Sequence, residues 1–72
     1  MRIATWNVNS VKTRVPRLLP WLEDRQPEVV CLQETKLSDE AFTALLGEAL
    51  DGLGYGFAHH GHGQWNGVAI LS

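Results

Sequence analysis

Only one cysteine, Cys31, occurs among the 72 residues, so no intramolecular disulfide can form. Set inside an apolar run, it reads as a small buried hydrophobe rather than a nucleophile. Long hydrophobic stretches are missing too, which leaves no transmembrane helix in the pattern. The start, Met1-Arg2-Ile3-Ala4-Thr5-Trp6, has no extended apolar segment followed by a small-residue cleavage site, so the expectation is a cytoplasmic protein with no membrane partner. An excess of positive charge is absent as well. Six Lys and Arg against eight Asp and Glu give a net charge of −2, which argues against a protein that coats nucleic acid but leaves phosphate substrates open. No Gly-Lys-Ser/Thr follows Gly61, Gly63 or Gly67, so these glycines do not make a P-loop. Neither a cysteine pair nor a helical His-Glu-x-x-His supports a zinc site at His59, His60 and His62. A flexible hairpin loop is the default there.

What is present is an ordinary globular composition, 44% hydrophobic and 19% charged, without internal repeat, linker or low-complexity segment. Charge is unevenly spread. Four of the six basic residues lie at Arg2, Lys12, Arg14 and Arg17, and past Asp51 only histidine can carry a side-chain charge. A chain of this size buries only about 60% of the surface its unfolded form exposes. One small domain is the upper bound.

Arg2 to Trp6 contains β-formers and runs into Asn7, Asn9 and Ser10, which favour turns and caps, so a strand ending at Trp6 or Asn7 is expected. Val15, Leu18, Leu19 and Leu22 then repeat at helical spacing. Pro16 suits a first turn, whereas Pro20 removes a backbone bond from a helix already under way. The expected helix therefore starts near Arg17 or kinks. Gln26-Pro27 stops it, and Glu28 to Gln33 follows as a continuous apolar run, the pattern of a strand buried on both faces. Together these make a β-α-β unit with parallel strands and a right-handed crossover. Ser38 followed by Asp39 and Glu40 marks a helix start. Phe42, Leu45, Leu46, Ala49 and Leu50 carry that helix over about 38–50, with Asp51-Gly52-Leu53-Gly54 as its glycine-capped end. Tyr55 to His59 and Gly67 to Leu71 are expected to pair as a hairpin. The last strand is apolar enough to want cover on both faces, which two helices and four strands hardly supply. The expectation is a chain truncated at its C-terminus.

Parallel strands end at one edge of their sheet, where open α/β folds assemble their sites. Asn7 and Glu34 both sit just past such ends. Cys31-Leu32-Gln33-Glu34-Thr35-Lys36 passes from a buried run straight into polar groups, and a hard cation such as Mg²⁺ takes carboxylate and amide oxygens while keeping several waters. Glu34 is the candidate ligand, with Asn7 a second oxygen donor or a donor to a phosphate oxygen. Lys36, two residues on, shares the side of Glu34 if the chain is extended. Trp65, beside Asn66 and Gly67, is either an aromatic that packs on a sugar or base or a core filler.

Three ordered segments, Ile3-Ala4-Thr5-Trp6-Asn7-Val8-Asn9-Ser10, Gln26 through Lys36, and Asn66-Gly67-Val68-Ala69-Ile70-Leu71-Ser72, closely resemble the exonuclease III and abasic-site endonuclease family of DNA-repair nucleases, within the endonuclease/exonuclease/phosphatase superfamily. The resemblance implies an α/β fold, the N-terminal part of a four-layer α/β sandwich in which two β-sheets are flanked by helices. Residues 1–72 would supply about four strands and two helices of that single domain. It further implies that Asn7 and Glu34 are catalytic and bind Mg²⁺ or Mn²⁺, Glu34 directly. Lys36, Trp65 and Asn66 then face substrate, and Asn9 and Gln33 line the pocket in support. The implied partner is double-stranded DNA, at abasic sites and 3′ ends, and the implied state is a monomer. A tyrosine, an aspartate and asparagine pair and an aspartate and histidine pair that complete such a site have no match here, so the isolated 72-residue chain is expected to be inactive. Two alternatives remain at this point: a phosphoesterase acting on lipid or inositol phosphates, and a non-catalytic binding or structural piece.

Overall fold

The computed structural model describes residues 1–72, which form four strands and two helices: β1 (Ile3–Asn7), α1 (Val11–Arg25), β2 (Val29–Gln33), α2 (Asp39–Gly52), β3 (Phe57–His60) and β4 (Val68–Leu71). The strands lie in one sheet in the order β1-β2-β4-β3. β1 and β2 run parallel, with Ile3 opposite Val29 and Asn7 opposite Gln33, as a crossover through a helix requires. β4 is antiparallel both to β2 and to its hairpin partner β3.

Alternation decides which face is covered. Val30, Leu32, Ala69 and Leu71 join Leu18, Leu22, Phe42, Leu46 and Leu50 in one buried cluster, so both helices pack on the same face of the sheet. On the opposite face Ile3, Val68 and Ile70 are each at least half exposed. The continuous apolar run of β2 is therefore buried on one face only: Val30 and Leu32 are buried, while Val29, Cys31 and Gln33 are half-buried. Its two-sided apolarity has one helical layer to meet and no second layer within these residues.

α1 begins at Val11 rather than near Arg17, and both prolines are interior. The early start is held from outside the helix. The Ser10 and Val11 N–H groups donate to the carbonyls of Glu34 and Thr35, at 2.8 and 3.1 Å, and Val11 is fully buried. The apolar stripe therefore reaches back through Val15 to Val11. Pro16 and Pro20 fall on the exposed side together with Lys12. The carbonyls of Lys12 and Pro16, deprived of an N–H four residues on, can turn to water there.

α2 starts where Ser38 caps it, its Oγ accepting from the Ala41 N–H at 3.1 Å, with Asp39 and Glu40 in the first turn. It runs two residues past the expected end, to Gly52. Gly54 (φ +88°) takes the left-handed position, with the Tyr55 N–H on the Leu50 carbonyl and the Gly54 N–H on that of Asp51, a Schellman closure. Tyr55, expected in the third strand, instead precedes it and plugs the core, its hydroxyl donating to the Pro27 carbonyl at 2.6 Å.

Candidate active site

The C-terminal ends of β1 and β2 deliver Asn7 and Glu34 to one edge, although 27 positions separate them in sequence. Asn7 Nδ2 donates to Glu34 Oε2. The amide is oriented by the Asn9 N–H, which donates to Asn7 Oδ1 at 3.1 Å and so turns Nδ2 toward the carboxylate. Lys36 Nζ donates to Asn9 Oδ1 at 2.6 Å and lies 4.0 Å from Glu34 Oε1. Asn7, Glu34, Lys36 and Asn9 thus form a ring of polar groups that includes the carboxylate and closes through the Asn9 backbone N–H.

The backbone beneath this ring is bent, not extended. Glu34 (φ +57°) and Lys36 (φ +58°) are both left-handed, as are Asn9 (φ +45°) and Asn66 (φ +55°). Lys36 therefore reaches the side of Glu34 through a double bend, where the sequence suggested a straight chain. Such conformations cost on the order of 1–3 kcal/mol each outside glycine and persist where the surroundings over-determine them. Here the surroundings are backbone bonds on both flanks. The carbonyls of Gln33, Glu34 and Thr35 accept from Val8, Ser10 and Val11, while the Thr35 and Lys36 N–H groups donate to the carbonyls of Gly67 and Asn66, at 3.1 and 2.7 Å. Gly67 (φ +97°) has no room for a side chain, since a Cβ there would collide with Thr35 Oγ1.

The other expected site residues divide. Gln33 lies beside Asn7 in the register, but its side chain bonds the Cys31 carbonyl of its own strand and makes no hydrogen bond to the ring. Trp65 is 73% exposed, which removes the core-filling alternative. With His60, His62 and Asn66 it borders an open groove on the hairpin. The three histidines separate. His60 and His62 meet edge to face at 5.0 Å on the outside, whereas the side chain of His59 points inward and is 2% exposed.

Three residues not assigned to this site from the sequence stand behind the ring. Fully buried Thr35 meets His59 Nε2 through Oγ1 at 2.7 Å, and His59 Nδ1 meets Asp39 Oδ1 at 2.7 Å. That oxygen also accepts from the Gly61 N–H at 2.9 Å. The His59 hydrogen bond first, and the Gly61 N–H after it, hold the Asp39 carboxyl below its ordinary range against an opposing desolvation. An ionised carboxylate only accepts, so the hydrogen of this bond is on Nδ1, which leaves Nε2 to meet the Thr35 hydroxyl. The signal was legible: alternation along Phe57-Ala58-His59-His60 sends Phe57 and His59 to the same face.

The ring suits a hard cation that keeps much of its water. Mg²⁺ is often bound through one or two carboxylates, and Glu34 presents a half-buried carboxylate at this edge, toward which Asn7 turns Nδ2 while its Oδ1 accepts from the Asn9 N–H. No group of three or more His, Cys, Asp and Glu clusters in the chain, which does not suit a fully protein-ligated zinc.

Solved relatives share the fold over the whole of this chain. Exodeoxyribonuclease III of Haemophilus influenzae is 39% identical over all 72 residues, which span 26% of its length. Among solved structures, an AP endonuclease from Archaeoglobus fulgidus superposes with a TM-score of 0.91 at 38% identity, over the whole of this chain and 27% of that one. The 3′ phosphatase NExo from Neisseria, solved with a product DNA hairpin, superposes at 0.89 with 42% identity, again over the whole chain and 27% of its own. The chain thus spans about a quarter of the length of these relatives, and one sheet with one helical layer is the part of their fold it matches. With its ring of polar residues at the parallel-strand edge and a match to the family profile over residues 4–72, the chain belongs to the Endonuclease/Exonuclease/phosphatase family.

Proposed function

We propose that a protein of family length carrying this chain is a metal-dependent nuclease of base excision repair, which cleaves DNA 5′ to abasic sites and removes nucleotides from 3′ ends. The observation that carries the reading is the Glu34 carboxylate, gripped by Asn7 and flanked by Lys36 at the edge of two parallel strands. Relatives named as an exodeoxyribonuclease, an AP endonuclease and a DNA-bound 3′ phosphatase support DNA as the substrate.

In this reading Glu34 holds Mg²⁺ or Mn²⁺ directly, and Asn7, which fixes the carboxylate through Nδ2 here, would turn its amide oxygen from the Asn9 N–H to the ion. Such an ion, when bound, polarises a phosphoryl oxygen and stabilises the leaving oxyanion. Lys36, tied to Asn9, brings a positive charge to the phosphate side of the carboxylate. Exposed Trp65, with Asn66 beside it, offers a face on which the DNA backbone or a base can lie. Activation of water and protonation of the leaving oxygen fall to residues outside these 72, so the isolated chain is inactive; the reading takes the active protein as a cytoplasmic monomer.

The test is nicking of an abasic-site duplex with Mg²⁺ by a family-length protein, by its Glu34→Ala variant and by the 72-residue chain. Cleavage by the first alone is expected. Hydrolysis of a phospholipid with inert abasic DNA would move the assignment to lipid phosphates, and nicking by the 72 residues lost with Glu34→Ala would overturn the inactivity of the isolated chain.

A further inference from the structure

We infer that His59 is a positioning residue for the Glu34 site, acting through the buried hydroxyl of Thr35. The inference rests on the reading of Glu34 as the metal-holding carboxylate. Thr35 has no exposed surface, so it cannot attack a substrate, and the Thr35-His59-Asp39 chain is not a nucleophilic triad despite its order of groups.

What the chain does mechanically follows from where Thr35 sits. Its neighbours on either side are Glu34 and Lys36, both in left-handed conformations that an ordinary loop would relax out of. The backbone bonds to Asn66, Gly67, Ser10 and Val11 tie down the main chain of this segment. The Thr35 hydroxyl to His59 is the one side-chain bond the segment makes into the sheet's packed side. His59 is itself held on two sides: its ring stacks on Phe42 at 4.3 Å and 19°, and its far nitrogen is bonded to Asp39 in the first turn of α2. Asp39 is in turn locked by the Gly61 N–H just past β3. The bend that aims Glu34 and Lys36 is therefore referenced, through one imidazole, to the start of α2 and the end of β3. Supporting partners of this kind orient a site's ligands without touching the reacting atoms.

Removing the imidazole nitrogens while keeping the ring stack should loosen the bend without unfolding the sheet. In the protein, amide hydrogen exchange at Thr35 and Lys36 is compared with that of β2 for the unsubstituted form, His59→Phe, Thr35→Val and Tyr55→Phe. His59→Phe keeps an aromatic ring against Phe42, and Thr35→Val keeps the shape of the threonine, so each deletes the bond from one end. Exchange at Thr35 and Lys36 should rise roughly tenfold in Thr35→Val, as expected for loss of one buried hydrogen bond, and at least as much in His59→Phe, which also removes the bond to Asp39, with β2 unchanged. Tyr55→Phe, which weakens the core elsewhere, should move all these amides together. A long-range ¹H–¹⁵N spectrum should show His59 as the Nδ1–H form. Equal acceleration at all sites, no acceleration, or no protection at Thr35 and Lys36 in the unsubstituted protein would each overturn the proposal.

Mn²⁺ broadening separates this inference from the reading beneath it. Broadening centred on Asn7 and Glu34 in the unsubstituted protein, shifted to higher Mn²⁺ in His59→Phe, supports both. Its absence in the unsubstituted protein sinks the metal reading and leaves the exchange result standing.

Discussion

Replacing Gly67 by alanine tests how tightly the hairpin clasps the Glu34 bend. Two costs add at this position. The first is conformational: at φ +97° an alanine Cβ meets its own backbone, a penalty of roughly 1–2 kcal/mol. The second is steric. The new Cβ would overlap Thr35 Oγ1 and lie 3.3 Å from the Lys36 amide nitrogen and 3.5 Å from Thr35 Cβ, and forcing extra volume into a packed site costs roughly 1–3 kcal/mol more. Gly54 provides the internal control, because its φ of +88° is nearly the same and nothing lies within 4 Å of its Cβ position. Gly54→Ala should therefore cost only the conformational part. The total for Gly67→Ala, about 2–5 kcal/mol, is a large share of the 4–11 kcal/mol or so expected for a chain of this length. Urea unfolding followed by tryptophan fluorescence measures both variants against the unsubstituted protein. Combining Gly67→Ala with Thr35→Ala removes the colliding oxygen, so the double variant should be more stable than the sum of the singles predicts, by roughly 1 kcal/mol or more. Equal losses for the two glycine variants, or strict additivity in the double, would refute the argument that the hairpin sits in contact with the Thr35 side chain.

Three further outcomes follow from other contacts. Tyr55→Phe should destabilise by about 1–3 kcal/mol in thermal or urea unfolding, because it leaves the Pro27 carbonyl without its donor in a buried place. Ser38→Ala should cost about 1 kcal/mol by the same assay, through the lost bond to the Ala41 N–H at the start of α2. Asp39 and Glu28 both have folded values below their ordinary ones, Asp39 first through the His59 hydrogen bond and Glu28 first through the Arg2 backbone N–H. A depressed carboxyl contributes stability that is whole above its unfolded value, near 3.8 for Asp39 and 4.5 for Glu28, and is lost as pH falls through the folded value. Unfolding midpoints should therefore fall on acidification below about pH 4.5, and Asp39→Asn should flatten that decline; a variant with an unchanged acid slope would contradict the His59 contact.

Much of the scaffold was legible because periodicity reports burial. β-forming and apolar runs located all four strands and helical spacing both helices, and the β-α-β connection was enough to bring Asn7 and Glu34 to one edge. The start of α1 was not legible. Pro16 and Pro20 argue locally for a later beginning, and what overrides them is the pair of N–H bonds from Ser10 and Val11 to the Glu34 and Thr35 carbonyls, which exist only once β2 has docked. The apolarity of β2 likewise announced two covered faces, while the residues present cover one.

Asn7, Glu34 and Lys36 were named from residue type and position and Asn9 from the family resemblance, and the chemistry of a carboxylate beside an amide and an ammonium is a property of the sequence. Their arrangement is not. The left-handed bends at Glu34 and Lys36 are unfavourable for the residues concerned, so no local preference foretells them; they arise from the bonds to Asn66 and Gly67 across the sheet edge. His59 shows the same division. Residue type placed it in a histidine cluster with His60 and His62, but its inward position on β3, opposite Thr35 and against Asp39, removed it from that cluster and set it beneath the site. Sequence alone determined which groups this protein can bring to phosphate chemistry, because side-chain chemistry and periodicity are local. Only the tertiary structure decided how the carboxylate is aimed, because aiming depends on bonds between segments that meet nowhere but in the fold.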